Sequence, residues 1–261
     1  MARYIGKELT RVEGVAKVTG KAKYAAEYAV PNLAYGFIVL GTVAKGRITA
    51  IDTRDADGAP GVLRVLTHSN APRLAPAEND QSFRPLQSDR IYFNAQPVAL
   101  VVAETFEQAR YASRLVKVTY DAEKSSTDTE ALRGRARVPS KGQPPKRRGD
   151  PDAALRTAAV KVDAEYRVPI EHHNPMEPHG AVAFWEGGKL TVFDKSQEVY
   201  NDRKHLATSF AVPEDDVTVI SPFVGGAFGS SLRPNYYPSL TAMAARELKR
   251  PVKVVYTRTQ I

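Results

Sequence analysis

Residues 221–232 read SPFVGGAFGSSL and lie between two strongly patterned stretches. Before them Val217, Thr218, Val219 and Ile220 alternate as a strand; after them residues 238–248 carry helical spacing. Gly225, Gly226, Ala227 and Gly229 leave the connecting backbone almost bare, with Phe228 as one large flat side chain among them. Small residues let a backbone approach a ligand closely and reach φ values that larger side chains resist. Successive free N–H groups in such a loop form an anion-binding concavity. A tight strand-to-helix turn uses the same glycines, so the loop alone leaves both readings open.

The chain of 261 residues is long enough for two compact domains, and 43% hydrophobic with 25% charged residues is ordinary for a globular protein. No apolar run approaches the roughly 18 residues needed to span a bilayer. The opening MARYIGKELTRVEG has no apolar core, so no secretory leader is expected. With no cysteine, disulfides, thiolate zinc and iron–sulfur ligation within this chain are excluded. The net charge of +8 is concentrated: Arg133, Arg135, Arg137, Lys141, Lys146, Arg147 and Arg148 supply +7, leaving +1 for the rest. That stretch, residues 131–149, also holds Pro139, Pro144, Pro145, Gly134, Gly142 and Gly149, so it is expected to be a solvated basic linker, neither helix nor strand. It has no aromatic residue to stack on bases, which argues against a nucleic-acid-binding module.

Before the linker the pattern predicts strands at residues 35–43, 47–52, 62–67, 97–102 and 117–120, with a short helical turn at 53–58. Residues 69–88 are polar and proline-bearing and read as a long surface excursion. Thr105 and Gln108 have the form of a capping box, and Ala109, Ala112 and Val116 follow on one helical face. Strand–helix–strand units in this order predict a mixed α/β or α+β fold. No cluster of titratable residues marks this half as chemical.

After the linker a helix is expected at 153–159 and an alternating strand at 160–167. Two strands follow at 180–185 and 189–194, joined across Glu186-Gly187-Gly188 as a hairpin, then a helix at 199–210 with Tyr200, Leu206 and Phe210 inward. Between residues 167 and 180, EHHNPMEPH, residues 171–179, gathers three histidines and two glutamates. Pro175 and Pro178 prevent the helical presentation of a zinc motif, so polar residues bracing a turn is the preferred reading over metal ligation.

Several stretches together resemble the molybdenum hydroxylases related to xanthine dehydrogenase and aldehyde oxidase. RVEGVAKVTGKAKYAAEY, PGVLRVLTHSNAP and AQPVALVVAETFEQARYASRLVKVTYD resemble the family's hammerhead α/β domain. HHNPMEPHGAVAFW, the Ser196-Gln197 pair, FVGGAFGSSL and KRPVKVVYTR resemble the opening part of its molybdopterin-binding α/β domain. The implied division is a hammerhead-like domain at 1–130, the linker at 131–149 and the first part of a molybdopterin-binding domain at 150–261.

The resemblance implies roles residue by residue. Gln197, the catalytic assignment, matches the glutamine that hydrogen-bonds an oxygen ligand of molybdenum. Phe228 and Gly229 match a Phe-Gly pair whose N–H groups face the metal-bound oxygen and the pterin. Gly225, Gly226 and Ala227 match the run against which the pterin lies. Ser230 and Ser231 stand where the family usually has glycine or serine, then lysine. Leu232 stands where purine-oxidising members carry glutamate, which points to the aldehyde-oxidising branch and its bacterial three-subunit enzymes. The implied cofactor is molybdenum–molybdopterin, in its cytosine dinucleotide form, with iron–sulfur clusters and FAD on partner subunits. The implied partners are those subunits, the remainder of the molybdopterin-binding region and an aldehyde substrate, with no nucleic acid and no membrane. The family's general-base glutamate belongs to sequence beyond Ile261; neither Glu171 nor Glu177 matches it. The expected function is oxidation of aldehydes to carboxylic acids with oxygen from water, in the cytoplasm, or in the periplasm if exported with a partner. The alternative is an inactive fragment with an assembly role.

Overall fold

A computed structural model describes residues 4–76, 83–137, 146 and 148–261. It divides into two units, Met1–Lys124 with His173–Ile261, and Ser125–His172. In chain order the first unit contains the helix Gly14–Val18 (α1), the strands Ala34–Leu40 (β1) and Gly46–Asp52 (β2) and the helical turn Arg54–Asp57 (α2). Val62–Thr67 (β3), Arg90–Ile91 (β4) and Pro97–Ala103 (β5) follow, then the helix Phe106–Ser113 (α3) and Lys117–Ala122 (β6). The second unit carries two short helices, Thr129–Leu132 (α4) and Pro151–Thr157 (α5). The first unit then resumes with Gly180–Glu186 (β7), Lys189–Asp194 (β8), Val199–Phe210 (α6), Val217–Ile220 (β9), Tyr236–Leu248 (α7) and Val252–Val255 (β10).

Among the described residues the strands form a seven-stranded sheet in the order β3-β5-β1-β10-β7-β8-β9 and a three-stranded one, β4-β2-β6. The stretches expected as separate domains thus contribute to one sheet: β1 pairs in parallel with β10, which pairs antiparallel with β7. Every residue of β5 is buried, as its unbroken apolar sequence requires of a strand covered on both faces. The helix α7 is buried continuously from Tyr237 to Ala245, because its small and apolar residues leave no polar stripe to face water. Trp185 on β7 donates its indole N–H to the Ala242 carbonyl at 2.9 Å, fastening that helix to the sheet. The hairpin between β7 and β8 turns on Gly187 (φ 56°) and Gly188 (φ 82°), the positive values its two-residue loop demands. The capping box closes as expected: Thr105 Oγ1 accepts from Gln108 N at 3.2 Å and Gln108 Oε1 from Thr105 N at 3.1 Å.

Five expectations are corrected. Residues 160–167 form no strand; among the described residues no backbone group pairs with them, so their alternation finds no ladder here. Residues 129–135 are helical where linker was expected from 131, because the Asp128 carboxylate caps Ala131 N at 3.1 Å and starts a turn. Of that segment, 138–145 and 147 lie outside the described residues. Tyr200 is 75% exposed, since the buried face of α6 runs instead through Asp202, Leu206, Ser209 and Phe210. Val116 packs beside Ala112 from beyond the end of α3 and not from its face. The excursion at 69–88 is not all surface: Leu74 and Leu86 reach the main core, and Ala75 N donates to Ser209 O at 2.9 Å.

Candidate cofactor-binding site

Parallel pairing of β8 with β9 brings their C-terminal ends side by side, and everything in the site hangs from that junction. Ser196 follows β8 and Ser221 follows β9. Ser196 N donates to Ser221 Oγ at 3.2 Å and Ser221 Oγ to Ser196 O at 3.1 Å, bolting the two strand ends together. Gln197, the next residue, then faces the loop that leaves β9. Its Oε1 accepts from Gly229 N at 3.2 Å and Ser231 N at 3.3 Å, while its own N donates to Ser231 O at 2.9 Å. Two N–H groups aimed at one end of a carboxamide fix its orientation, because only the oxygen can accept. The Nε2 group therefore points away from the loop on an exposed side chain.

The loop conformation is unusual in the way its composition suggests. Gly226 has φ +94° and Gly229 φ +104°, and Phe228 between them is left-handed at φ 55°. A left-handed bulky residue costs of order 1 kcal/mol or more and persists only where its surroundings impose it. Here Ser230 N returns to Ala227 O at 2.9 Å and Leu232 N to Gly229 O at 3.2 Å, so two successive turns over-determine the backbone. Ala227 is buried beneath, and the Phe228 side chain is exposed above. Among the described residues no protein acceptor meets the N–H groups of Gly226, Ala227 or Phe228, whereas the Gly229 N–H, expected to face the bound group, is taken up by Gln197 Oε1. The donor set is thus carboxamide and backbone N–H, neutral throughout. It can satisfy oxygens of an anionic or oxygen-rich group without giving up a proton.

A residue of the EHHNPMEPH turn secures the loop from beneath. Glu177 Oε2 accepts from Gly225 N at 2.6 Å, and Glu177 N donates to Gly225 O at 3.0 Å. A Cβ at position 225 would stand 2.8 Å from Glu177 Cβ, so glycine is what allows the approach. Burial holds the Glu177 carboxyl above its ordinary range against the pull of Gly225 N–H and Lys195. Lys195 is itself 1% exposed; its Nζ donates to Glu177 O at 2.7 Å, and burial lowers its pKa. Around it lie further buried polar groups. Asp194 is raised well above the carboxylate range by burial and by Asp202, and Asp202 is raised to about 6 by burial although Ser196 Oγ donates to it. His179, beside Ser231 Oγ at 3.4 Å, is pushed down to about 4 by burial and by Lys195. The signal for this network was a charged pair, Asp194-Lys195, at the end of an apolar strand.

Of the EHHNPMEPH segment, Glu177 and His179 thus brace the loop, and among the described residues no three His, Asp or Glu side chains gather as a metal site. Residues 37–40, Arg110, Ser113, Arg114 and residues 257–260 line a separate cavity of about 520 Å³ that includes neither Gln197 nor the glycine loop.

Sheet, crossover helix and strained loop define a class: an α/β protein presenting a neutral N–H cradle above a buried polar network. Residues 19–124 match the aldehyde oxidase and xanthine dehydrogenase a/b hammerhead domain, and residues 137–261 match the molybdopterin cofactor-binding domain. The chain belongs to the xanthine dehydrogenase and aldehyde oxidase family of molybdenum hydroxylases. It is 43% identical to the aldehyde oxidoreductase molybdenum-binding subunit PaoC of Escherichia coli K12, over 99% of this chain and 36% of the relative. It is 32% identical to a probable xanthine dehydrogenase polypeptide of Bacillus subtilis, over 96% of this chain and 34% of that protein. The aldehyde oxidoreductase from Desulfovibrio gigas superimposes with a TM-score of 0.81 at 26% identity, over 96% of this chain and 30% of that one. The chain therefore spans about a third of the length of these two curated relatives.

Proposed function

We propose that this chain supplies part of the molybdenum–molybdopterin site of an aldehyde-oxidising molybdenum hydroxylase. The observation that carries the proposal is the Gln197 carboxamide, pinned through its oxygen to Gly229 N and Ser231 N with its NH₂ group left facing outward. In this reading Gln197 donates toward the oxygen ligands of the bound group. Gly225, Gly226, Ala227, Phe228 and Gly229 provide the surface against which the pterin lies, in the cytosine dinucleotide form. The bound group supplies the two-electron chemistry that takes an aldehyde to a carboxylic acid; the chain supplies orientation and hydrogen bonds. No residue here is assigned the proton-abstracting role: the Glu177 carboxyl is occupied beneath the loop by Gly225 N.

The remaining assignments follow the same reading. Iron–sulfur clusters and FAD belong to partner subunits, and the rest of the molybdopterin-binding region to polypeptide with no counterpart here. In this reading a hammerhead domain occupies 1–130, a linker 131–149 and the molybdopterin-binding part 150–261; the matched spans are 19–124 and 137–261, the second starting within that linker. The cytoplasm is the proposed compartment; among the described residues no helix is long and apolar enough to cross a membrane. The alternative reading is a piece with a structural or assembly role that does not turn over by itself.

Purifying the chain with its partners and measuring molybdenum, pterin and aldehyde turnover tests the proposal. Stoichiometric metal and turnover are expected. Gln197→Ala should lower turnover about 10- to 100-fold, the scale of losing a hydrogen-bond partner of a metal's own ligands, while keeping the metal. Full turnover by that variant at normal cofactor loading removes Gln197 from the site; a complex without molybdenum supports the assembly piece.

A further inference from the structure

Residues 160–171 read VKVDAEYRVPIE and carry two incompatible messages. Even-numbered positions are apolar (Val160, Val162, Ala164, Tyr166, Val168, Ile170) and odd-numbered ones polar or charged but for Pro169. That period of two belongs to a strand with one buried face. Yet Val160, Val162, Tyr166, Val168 and Ile170 are each more than 80% exposed, and among the described residues no backbone hydrogen bond engages the segment. In an extended strand this alternation puts the five large apolar side chains on one face, a row that marks an interaction surface and not scattered surface residues.

From this we infer that residues 160–170 are a strand completed by intermolecular or long-range β-pairing. The occupant is the part of the family polypeptide that has no counterpart in this chain, whether it continues this chain or is a separate one. The relatives supply such an occupant, since the matched portion is 36% of PaoC and 34% of the Bacillus protein. A segment added to a sheet edge gains main-chain hydrogen bonds on its edge and pockets for alternate side chains on its face, and both are what this segment lacks. Pro169 fixes which edge is used. In a strand, odd and even N–H groups point to opposite edges, and proline has none to donate. The even-numbered edge, with Val162, Ala164, Tyr166, Val168 and Ile170, is the uninterrupted one and takes the partner. The inference rests on the family match and on side-chain exposure, not on the cofactor site, so loss of one leaves the other standing.

Residue-resolved amide exchange tests it, comparing the chain alone with the chain assembled with the remaining family polypeptide. Assembly should slow exchange at residues 162, 164, 166, 168 and 170 by about 100-fold or more, as pairing into a stable sheet does. Tyr166→Asp and Val168→Asp should each cut recovery of the assembly about tenfold, whereas Glu165→Gln and Arg167→Gln should not, following the face on which each lies. Unchanged melting of the isolated chain carrying the Asp variants separates docking from folding. Unprotected amides in the assembly overturn the inference. Protection that appears in the chain alone and grows with its concentration overturns the stated occupant in favour of a second copy.

Discussion

Glu177 illustrates how much a single side chain decides when the backbone it holds has no side chains of its own. Its carboxylate and its N–H close a two-bond clamp on Gly225, and Lys195 in turn holds its carbonyl. Glu177→Ala leaves Gly225 N without its acceptor, at a cost of about 1–3 kcal/mol. Thermal unfolding should show that loss, and cofactor retention should fall with it. Glu177→Gln keeps an oxygen at the same place and should restore both; a glutamine variant as damaged as the alanine one would mean that charge, not the clamp, is what matters. Phe228→Ala, which keeps the strained backbone and removes only the exposed ring, should lower pterin retention while leaving stability within about 0.5 kcal/mol of wild type, as surface changes do.

At the scale of elements, the end of β8 and the start of α6 are joined by buried acids, and this joint sets a pH dependence. Asp202 titrates in the folded chain at about 6, above its ordinary 3.8, because burial disfavours the charge. Stability from its proton is complete below about pH 4 and is lost as pH rises through 6, an effect of about 3 kcal/mol at 1.36 kcal/mol per unit. His179 and His205, both held near 4 by burial, act in the opposite sense and lose stability as pH falls from their ordinary 6.5. Comparing Asp202→Asn with wild type cancels the histidines. The variant should gain on wild type as pH rises from 4 to 7 in chemical denaturation; a constant difference would show that Asp202 is already ionised at pH 4. The strands themselves were legible in the sequence wherever a local pattern sufficed: β3, the hairpin of β7 and β8, and the capping box of α3. What was not legible depended on distant partners. Tyr200 looked inward by spacing but is outward because α6 turns Asp202 to the strand end, and residues 160–167 carry a strand pattern whose ladder no described residue provides.

At the scale of the whole molecule, the same distinction separates the site from its support. The loop was visible because glycine, alanine and an isolated phenylalanine leave a compositional mark, and Gln197 because it stands at a strand end. Their meeting was implied by the family resemblance and not by local pattern: it comes from the parallel pairing of β8 with β9, with α6 as crossover, which carries residue 197 to within hydrogen-bond reach of residues 229 and 231. The joining of β1 to β10 into one seven-stranded sheet, across stretches that read as separate domains, was equally beyond local pattern. The central claim, that a neutral cradle of amides receives a molybdenum cofactor, can be put to one measurement: an anomalous difference map at the molybdenum edge from crystals of the assembled complex. A single strong peak is expected in front of the Gln197 NH₂ group and the Phe228 N–H. A peak elsewhere in a fully loaded complex, with that cradle facing only solvent or protein, would contradict it.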